Sequence, residues 1–203
     1  MLLLKDLPDI ANDVDNWCVD GISLVDSFNR IKIGKQVHRF SFDETSIAPN
    51  VFNFIKDRNL RVAIVGTKEE YIKKAVMVIE SKYSIKVDYF RNGFFYTKEE
   101  MDNCIELILN RNFDVVICGM GTVNQEKFLI DLKKKGWTNF GFTCGGYLHQ
   151  IAKREKYYPF LFDRLDVRWI YRIIDEPKLF KRYLFEYPKF FIQFRSFKKE
   201  YEF

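Results

Sequence analysis

Apolar residues in the middle of the chain follow two alternating patterns: short continuous runs, and longer stretches with helical spacing. Continuous runs are typical of strands that are buried on both faces of a parallel sheet. Four runs are predicted as strands, over residues 60–66, 85–91, 113–119 and 139–146. Stretches with helical spacing follow the first three, over residues 67–83, 97–111 and 124–136. This alternation predicts an α/β fold, with a Rossmann-like parallel sheet flanked by helices.

The pattern changes near residue 155, where short helical stretches broken by Pro177 and Pro188 replace the alternation. Residues 1–154 are therefore predicted to form the Rossmann-like domain, and residues 155–203 a C-terminal helical appendage. From residue 151 onward the chain has 13 Lys and Arg against 8 Asp and Glu, which accounts for its whole net charge of +5.

The same C-terminal region holds 16 of the 35 aromatic residues. Basic side chains mixed with aromatic ones favour contact with an anionic membrane surface. A run of charges is more often a solvated helix face, which is the ordinary interpretation of Arg172 and Arg182. Nucleic acid is not expected as a partner, because the basic excess is small and the sequence lacks an RNP, KH or helix-turn-helix signature.

Several classes of protein are disfavoured by what the sequence lacks. No apolar run approaches the roughly 20 residues that span a bilayer, and the first residues do not form a secretion signal. The cysteines are scattered without a C-x-x-C pair, and the two histidines lie far apart, so neither a metal site nor a cofactor is expected. Reduced thiols and a cytoplasmic location follow as the expectation.

The segment GMGTVNQE follows the third predicted strand, and ligands of parallel sheets bind where strands end. A dinucleotide-binding fingerprint is poorly supported, because the third glycine after Gly119 and Gly121 is missing and the glycines do not follow the first strand. A Walker A loop is excluded, because its Gly-Lys-Ser/Thr sequence is absent. The ordinary interpretation is a tight strand-to-helix turn. The functional interpretation is an anion site at the helix start, where Asn124 and Gln125 meet a nucleotide and Glu126 caps the helix.

Asp20 and Arg39 are the other candidates in the first part of the chain. Asp20 precedes Gly21 among apolar residues, which indicates either an Asp-Gly turn or a carboxylate acting as general base at the edge of a cleft. Arg39 is either a solvated arginine or the partner of a phosphate or carboxylate.

Four segments in order, across residues 14–190, resemble the WecG/TagA/CpsF glycosyltransferase family. GMGTVNQEKF is similar to its G-x-G-x-P-x-Q-E motif, with Val123 at the proline position. VDGISLV resembles its Asp-Gly motif, HRFSF its arginine segment, and RWIYRIIDEPKLFKRY its C-terminal signature. Members usually carry a longer segment before the Asp-Gly motif, so this chain is expected to be short at its N-terminus.

The resemblance implies an inverting, metal-independent glycosyltransferase of bacterial surface polysaccharide synthesis, such as capsule or teichoic acid. It would move N-acetylmannosamine, its uronic acid or a related sugar from a UDP-sugar to a polyprenyl-diphosphate-linked acceptor. Residues 1–154 would bind the sugar nucleotide and carry out catalysis. Residues 155–203 would bind the diphosphate and hold the protein at the inner face of the cell membrane.

The resemblance also implies a role for each candidate residue. Asp20 would be the catalytic base, Arg39 would line the same site, and Arg172 and Arg182 would neutralise the leaving diphosphate. The substrate-binding loop would contribute Gly119, Gly121, Asn124, Gln125 and Glu126. Two alternatives remain open, a nucleotide-dependent Rossmann-like oxidoreductase and a non-catalytic truncated remnant of the transferase family, and a homo-oligomer is also left open.

Overall fold

The computed structural model describes residues 8–31, 36–154, 162, 167–175, 177, 180–181, 184–185, 188–189, 192 and 194. These residues fall into two compact units. The first, called the sheet unit, contains residues 8–17 and 40–154. The second, called the helical unit, contains the described residues between 18 and 39 and the described residues from 162 to 194. The boundary predicted at residue 155 falls in 155–161, outside the described residues, and stays a prediction.

The sheet unit is built on a four-stranded parallel sheet, as the sequence predicts. Its strands are β1 (Val62–Gly66), β2 (Tyr89–Arg91), β3 (Val115–Gly119) and β4 (Phe140–Thr143), in the order β2-β1-β3-β4. The predicted α/β fold with a Rossmann-like parallel sheet is therefore confirmed.

Strand β2 is shorter than the predicted 85–91 because side chains bond the segment before it. The Glu80 carboxylate accepts the Val87 N–H (2.8 Å), and the Asp88 carboxylate accepts the Val62 N–H (3.0 Å). The Val62 N–H therefore bonds a side chain where a regular ladder would give it a backbone carbonyl.

Helices flank the sheet and also form the helical unit. The helices of the sheet unit are α1 (Pro8–Asp13), α3 (Ala48–Asp57), α4 (Glu69–Tyr83), α5 (Lys98–Arg111), α6 (Asn124–Lys134) and α7 (Tyr147–Lys153). The helices of the helical unit are α2 (Ile22–Ile31) and α8 (Arg168–Asp175). The predicted helices after the first three strands are thus present, with ends that differ by up to two residues.

Alternate strand residues divide the core into two clusters, one on each face of the sheet. Ile64 and Ile117 pack with α3, α4 and α7, whereas Ala63 and Val116 pack with α5 and α6. All four side chains are fully buried. Burial on both faces explains why β1 and β3 are continuous apolar runs rather than alternating ones.

Local signals set the helix ends. At the start of α5, the Thr97 hydroxyl accepts the Glu100 N–H (3.1 Å), and the Glu100 carboxylate accepts the N–H of Tyr96 (2.8 Å). After α6 the chain turns at Gly136, whose φ of +97° favours glycine.

Candidate functional site

Three glycines bring the ends of β1, β2 and β3 into direct backbone contact. A Cβ at Gly66 would lie 2.6 Å from the Gly119 carbonyl oxygen, and one at Gly93 would lie 2.9 Å from the Gly66 Cα. The Thr67 N–H donates to the Gly119 carbonyl, and the Gly93 N–H donates to the Thr67 carbonyl, each at 2.9 Å. The predicted site residue Gly119 therefore packs the carboxyl edge of the sheet, where the sequence places the ligand.

The loop from β3 to α6 has an unusual backbone conformation. Gly121 has φ +83°, and Val123 has φ +78° with ψ −44°. A positive φ is a genuine outlier for a β-branched residue such as valine. Strain of this kind costs about 1–3 kcal/mol and is typically found at functional sites.

Two buried polar side chains hold this loop in place. Gln125 and Glu126 are only 7% and 9% exposed. The Gln125 Nε2 donates to the Glu126 carboxylate (2.9 Å), and the Gln125 Oε1 accepts the Gly145 N–H (3.2 Å). Glu126 also accepts the N–H of Val123, which confirms its predicted role as a helix cap.

The loop nevertheless presents polar groups outward. Gly121, Thr122 and Asn124 are exposed around the first turn of α6. The first turn of a helix offers N–H groups and the positive end of the helix dipole. Gln125 uses one of its two amide hydrogens for Glu126, so one further donor remains available to it. Ligand binding by Asn124 and Gln125 stays a prediction.

The neighbouring loop after β4 contains a buried thiol. Cys144 donates its N–H to the Cys118 carbonyl (2.8 Å), and both side chains are buried. Burial raises the pKa of the Cys144 thiol to about 12, and it also raises that of Cys118. Both groups therefore stay protonated at neutral pH, and they are poor nucleophiles.

In the helical unit, the structure brings Asp20 and Arg39 together. The Arg39 Nε lies 3.4 Å from the Asp20 Oδ1, and the same oxygen accepts the Gly21 N–H at 2.8 Å. Gly21 has φ +94° and its carbonyl accepts the first N–H groups of α2, from Leu24 and Val25. The Asp20 side chain is 66% exposed. The structure thus shows the Asp-Gly turn and an accessible carboxylate beside an arginine, whereas the role of Asp20 as general base stays a prediction.

The remaining predicted cations belong to the C-terminal region. Arg172 lies on α8 and is partly buried, and Arg182 lies outside the described residues. In the same unit, the Phe28 and Phe194 rings contact edge to face with centroids 5.8 Å apart. Large apolar side chains are nonetheless exposed on this part of the chain, namely Trp169, Ile174, Phe180, Leu184, Phe185 and Ile192.

The predicted site residues therefore form two groups. Asp20 and Arg39 form one in the helical unit, and Gly119, Gly121, Asn124, Gln125 and Glu126 form the other in the sheet unit. Within the described residues, no helix is long and apolar enough to cross a membrane.

Sequence reasoning missed a polar cluster behind the loop that follows β4. The Glu44 carboxylate accepts the hydroxyls of Tyr83 (2.8 Å) and Tyr147 (2.5 Å) and also contacts Lys82. These residues are separated by up to 103 positions, and Glu44 stands in an ordinary polar stretch, so the sequence carries no signal for the cluster.

The resemblance seen in the sequence motifs agrees with a comparison to known families. The profile of the WecG/TagA/CpsF glycosyl transferase family matches residues 4–202. The chain belongs to this family of glycosyltransferases. Its members' general reaction, the transfer of a sugar, is therefore the reaction class of this enzyme.

Two similar proteins are named as sugar transferases. The chain is 36% identical over 187 residues to a UDP-Gal:α-D-GlcNAc-diphosphoundecaprenol β-1,4-galactosyltransferase from Shigella boydii, covering 91% of this chain and 78% of the relative. It is 28% identical over 131 residues to an N-acetylglucosaminyldiphosphoundecaprenol N-acetyl-β-D-mannosaminyltransferase from Bacillus subtilis, covering 64% of this chain and 50% of that protein. Both relatives are named as transferases that act on a sugar linked to diphosphoundecaprenol.

Proposed function

We propose that this enzyme transfers a hexose from a UDP-sugar to a sugar on a polyprenyl diphosphate, with inversion and without a metal. The observation that carries the proposal is the exposed carboxylate of Asp20. It accepts the Gly21 N–H and lies beside Arg39, in a chain that belongs to this family. The product would be a lipid-linked intermediate of a bacterial surface polysaccharide.

Asp20 acts as the general base in this mechanism. Its carboxylate removes the proton of the acceptor hydroxyl as that oxygen attacks the anomeric carbon of the donor. The bond from the anomeric carbon to the diphosphate oxygen breaks, and UDP leaves with the electron pair. Attack on the face opposite the leaving group inverts the anomeric centre, and one carboxylate is sufficient for this step.

Arg39 positions the base. Its Nε lies 3.4 Å from the Asp20 Oδ1, which limits the rotation of the carboxylate. The oxygen that faces away from Arg39 is then the one suited to accept the acceptor proton.

Cations and N–H groups stabilise the leaving diphosphate. The first turn of α6, with the exposed Thr122 and Asn124, offers donors to an anion. The resemblance of the C-terminal motif supports Arg172 and Arg182 as the residues that neutralise its charge. Preorganised donors of this kind are a large term in the catalysis of reactions that develop negative charge.

The test is a turnover assay with UDP-hexoses and a polyprenyl-diphosphate-linked N-acetylglucosamine acceptor. Asp20→Asn keeps the shape of the side chain but removes its basicity, so we expect kcat to fall by about 100-fold or more. UDP affinity should change little. The matched control is Asp26→Asn, an exposed aspartate on α2 of the same unit, which should leave turnover unchanged. Full activity of Asp20→Asn would overturn the base assignment.

The choice of donors separates the remaining possibilities. The panel contains UDP-galactose, suggested by the Shigella boydii relative, together with UDP-N-acetylmannosamine and its uronic acid. UDP binding with no turnover on any acceptor would support the non-catalytic alternative. The oxidoreductase alternative requires NAD(P)H binding, which finds no support in the family.

A further inference from the structure

The amide of the Gln125 side chain is oriented by two groups of opposite kind. Its Oε1 accepts the Gly145 N–H (3.2 Å), and its Nε2 donates to the Glu126 carboxylate (2.9 Å). A donor on one side and an acceptor on the other are satisfied together by only one of the two amide orientations. The group that Gln125 can offer to a ligand is therefore the second hydrogen of Nε2.

The Gly145 N–H sets this orientation only while the loop after β4 keeps its position. The loop contains Gly145 and Gly146 in succession, both of them exposed, and Gly145 has φ +53°. Glycines leave a loop many backbone conformations, because they lack the Cβ that restricts the chain. The position of the loop therefore depends on how its two ends are held.

The sheet holds the start of this loop, and Glu44 holds its end. The Cys144 N–H donates to the Cys118 carbonyl (2.8 Å), which continues the pairing of β3 with β4. Tyr147 is the first residue of α7, is 2% exposed, and donates its hydroxyl to the Glu44 carboxylate (2.5 Å). Hydrogen bonds to charged groups are stronger than those between neutral groups, so Glu44 is an effective anchor for the end of the loop.

Close packing connects the loop to the end of β3 as well. A Cβ on Gly119 would lie 2.8 Å from the Cys144 Sγ and 3.1 Å from the Gly145 carbonyl oxygen. On the other side, the Tyr147 ring centroid lies 5.4 Å from that of Phe42 and 6.2 Å from that of Phe52. Because such packing leaves little free space, a shift of Tyr147 moves the loop and the Gly145 N–H with it.

We infer that Glu44 and Tyr147 are positioning residues for donor binding, which act through the loop after β4 on the amide of Gln125. This inference rests on the proposed UDP-sugar donor and on Gln125 as one of the residues that bind it. Without the bond from Tyr147 to Glu44, the Gly145 N–H no longer fixes the amide, and its oxygen can turn towards the diphosphate. An amide oxygen repels an anion, whereas an N–H stabilises it.

Tyr83 offers a matched control within the same cluster. Its hydroxyl donates to the same Glu44 carboxylate (2.8 Å), and its side chain is also buried. Tyr83 belongs to the end of α4 rather than to the loop after β4. Loss of its hydroxyl therefore removes a bond to Glu44 without releasing the loop.

The experiment measures the UDP affinity of the full chain by calorimetry and its stability by urea unfolding. Tyr147→Phe should weaken UDP binding by about 3- to 10-fold, the range that corresponds to the loss of one hydrogen bond. Tyr83→Phe should lower stability to a similar extent but leave UDP affinity within about twofold. Gln125→Met keeps the side-chain volume without the amide, and Tyr147→Phe should have no further effect on affinity in that background. Glu44→Gln replaces the charged acceptor with a neutral one, should also weaken UDP binding, and carries the test if Tyr147→Phe does not fold.

Three results would overturn the inference. Unchanged UDP affinity in Tyr147→Phe and in Glu44→Gln would remove the positioning role. An equal loss of affinity in Tyr83→Phe would mean that the cluster acts through stability alone. Additive losses when Tyr147→Phe is combined with Gln125→Met would mean that the effect does not pass through Gln125. If the unmodified chain itself fails to bind UDP, the proposed function fails together with the inference, which separates that outcome from the other three.

Discussion

Val123 stands where the family motif has proline, and its φ of +78° is one that proline cannot adopt. The loop therefore has a conformation at this position that the proline of the family motif would exclude. The Val123 N–H, which proline would lack, donates to Glu126. At the scale of single residues, valine thus permits both a backbone conformation and a hydrogen bond that proline would exclude.

Two substitutions test the strain at Val123. Val123→Gly should raise the free energy of unfolding by about 1 kcal/mol, because relief of 1–3 kcal/mol of strain outweighs the flexibility that glycine adds. Val123→Pro should lower it by about 3 kcal/mol or more. Urea unfolding measures both values. Val78→Gly, in the middle of α4, is the control and should be destabilising; equal losses for the two glycine variants would mean that Val123 is unstrained.

The tight backbone packing at the carboxyl edge is a property of several elements together. Gly66→Ala should destabilise the protein by about 1–3 kcal/mol, because its Cβ would meet the Gly119 carbonyl oxygen at 2.6 Å and the backbone cannot give way easily. Gly141→Ala in β4 is the matched control, since its nearest neighbours are side-chain atoms of Leu129 and Trp137 at 3.3 Å rather than backbone atoms. Similar unfolding free energies for the two variants would contradict this account of the edge.

The Glu44 cluster joins α4 and α7 and makes stability depend on pH. Burial, and next the hydrogen bond to Glu44, raise the pKa of both Tyr83 and Tyr147. A raised pKa means that each tyrosine stabilises the fold fully below its unfolded pKa of about 10. That contribution is lost as the pH rises above this value towards the folded pKa.

The free energy of unfolding should therefore fall above about pH 10, by up to ~1.4 kcal/mol per pH unit for each tyrosine. Tyr147→Phe should make this fall less steep, although it also lowers stability at neutral pH by about 1.5–3 kcal/mol through loss of a bond to a charged group. Urea unfolding between pH 8 and 11 gives the slope. Tyr96→Phe, at a 92%-exposed position, is the control; a wild-type slope in Tyr147→Phe would contradict the prediction.

At the scale of the whole molecule, basic and aromatic residues are concentrated in the C-terminal region, and several large apolar side chains there are exposed. Contact with an anionic membrane surface is the function we propose for this region. Trp169→Ser and Phe185→Ser should each reduce binding to phosphatidylglycerol vesicles about tenfold, because each removes a large apolar group from the interface. Cosedimentation measures the binding, which should also weaken at high salt.

Met77→Ser is the control for the vesicle experiment. Met77 is 67% exposed on α4, in the sheet unit, and has no role in the proposed membrane contact. Equal losses for Met77→Ser and Trp169→Ser would indicate that exposed apolar area in general, rather than the C-terminal region, drives the binding.

The sequence by itself determined the parallel sheet, because burial on both faces requires continuous apolar runs such as those of β1 and β3. It also determined the helix cap by Glu126 and the family, because these depend on neighbouring residues and ordered motifs. Only the tertiary structure showed that Gln125 bonds to Gly145, that Arg39 lies beside Asp20, and that Glu44 joins Tyr83 and Tyr147. Each of these contacts links residues 19 or more positions apart. Local propensity carries no information about such contacts, because they form only when the elements pack.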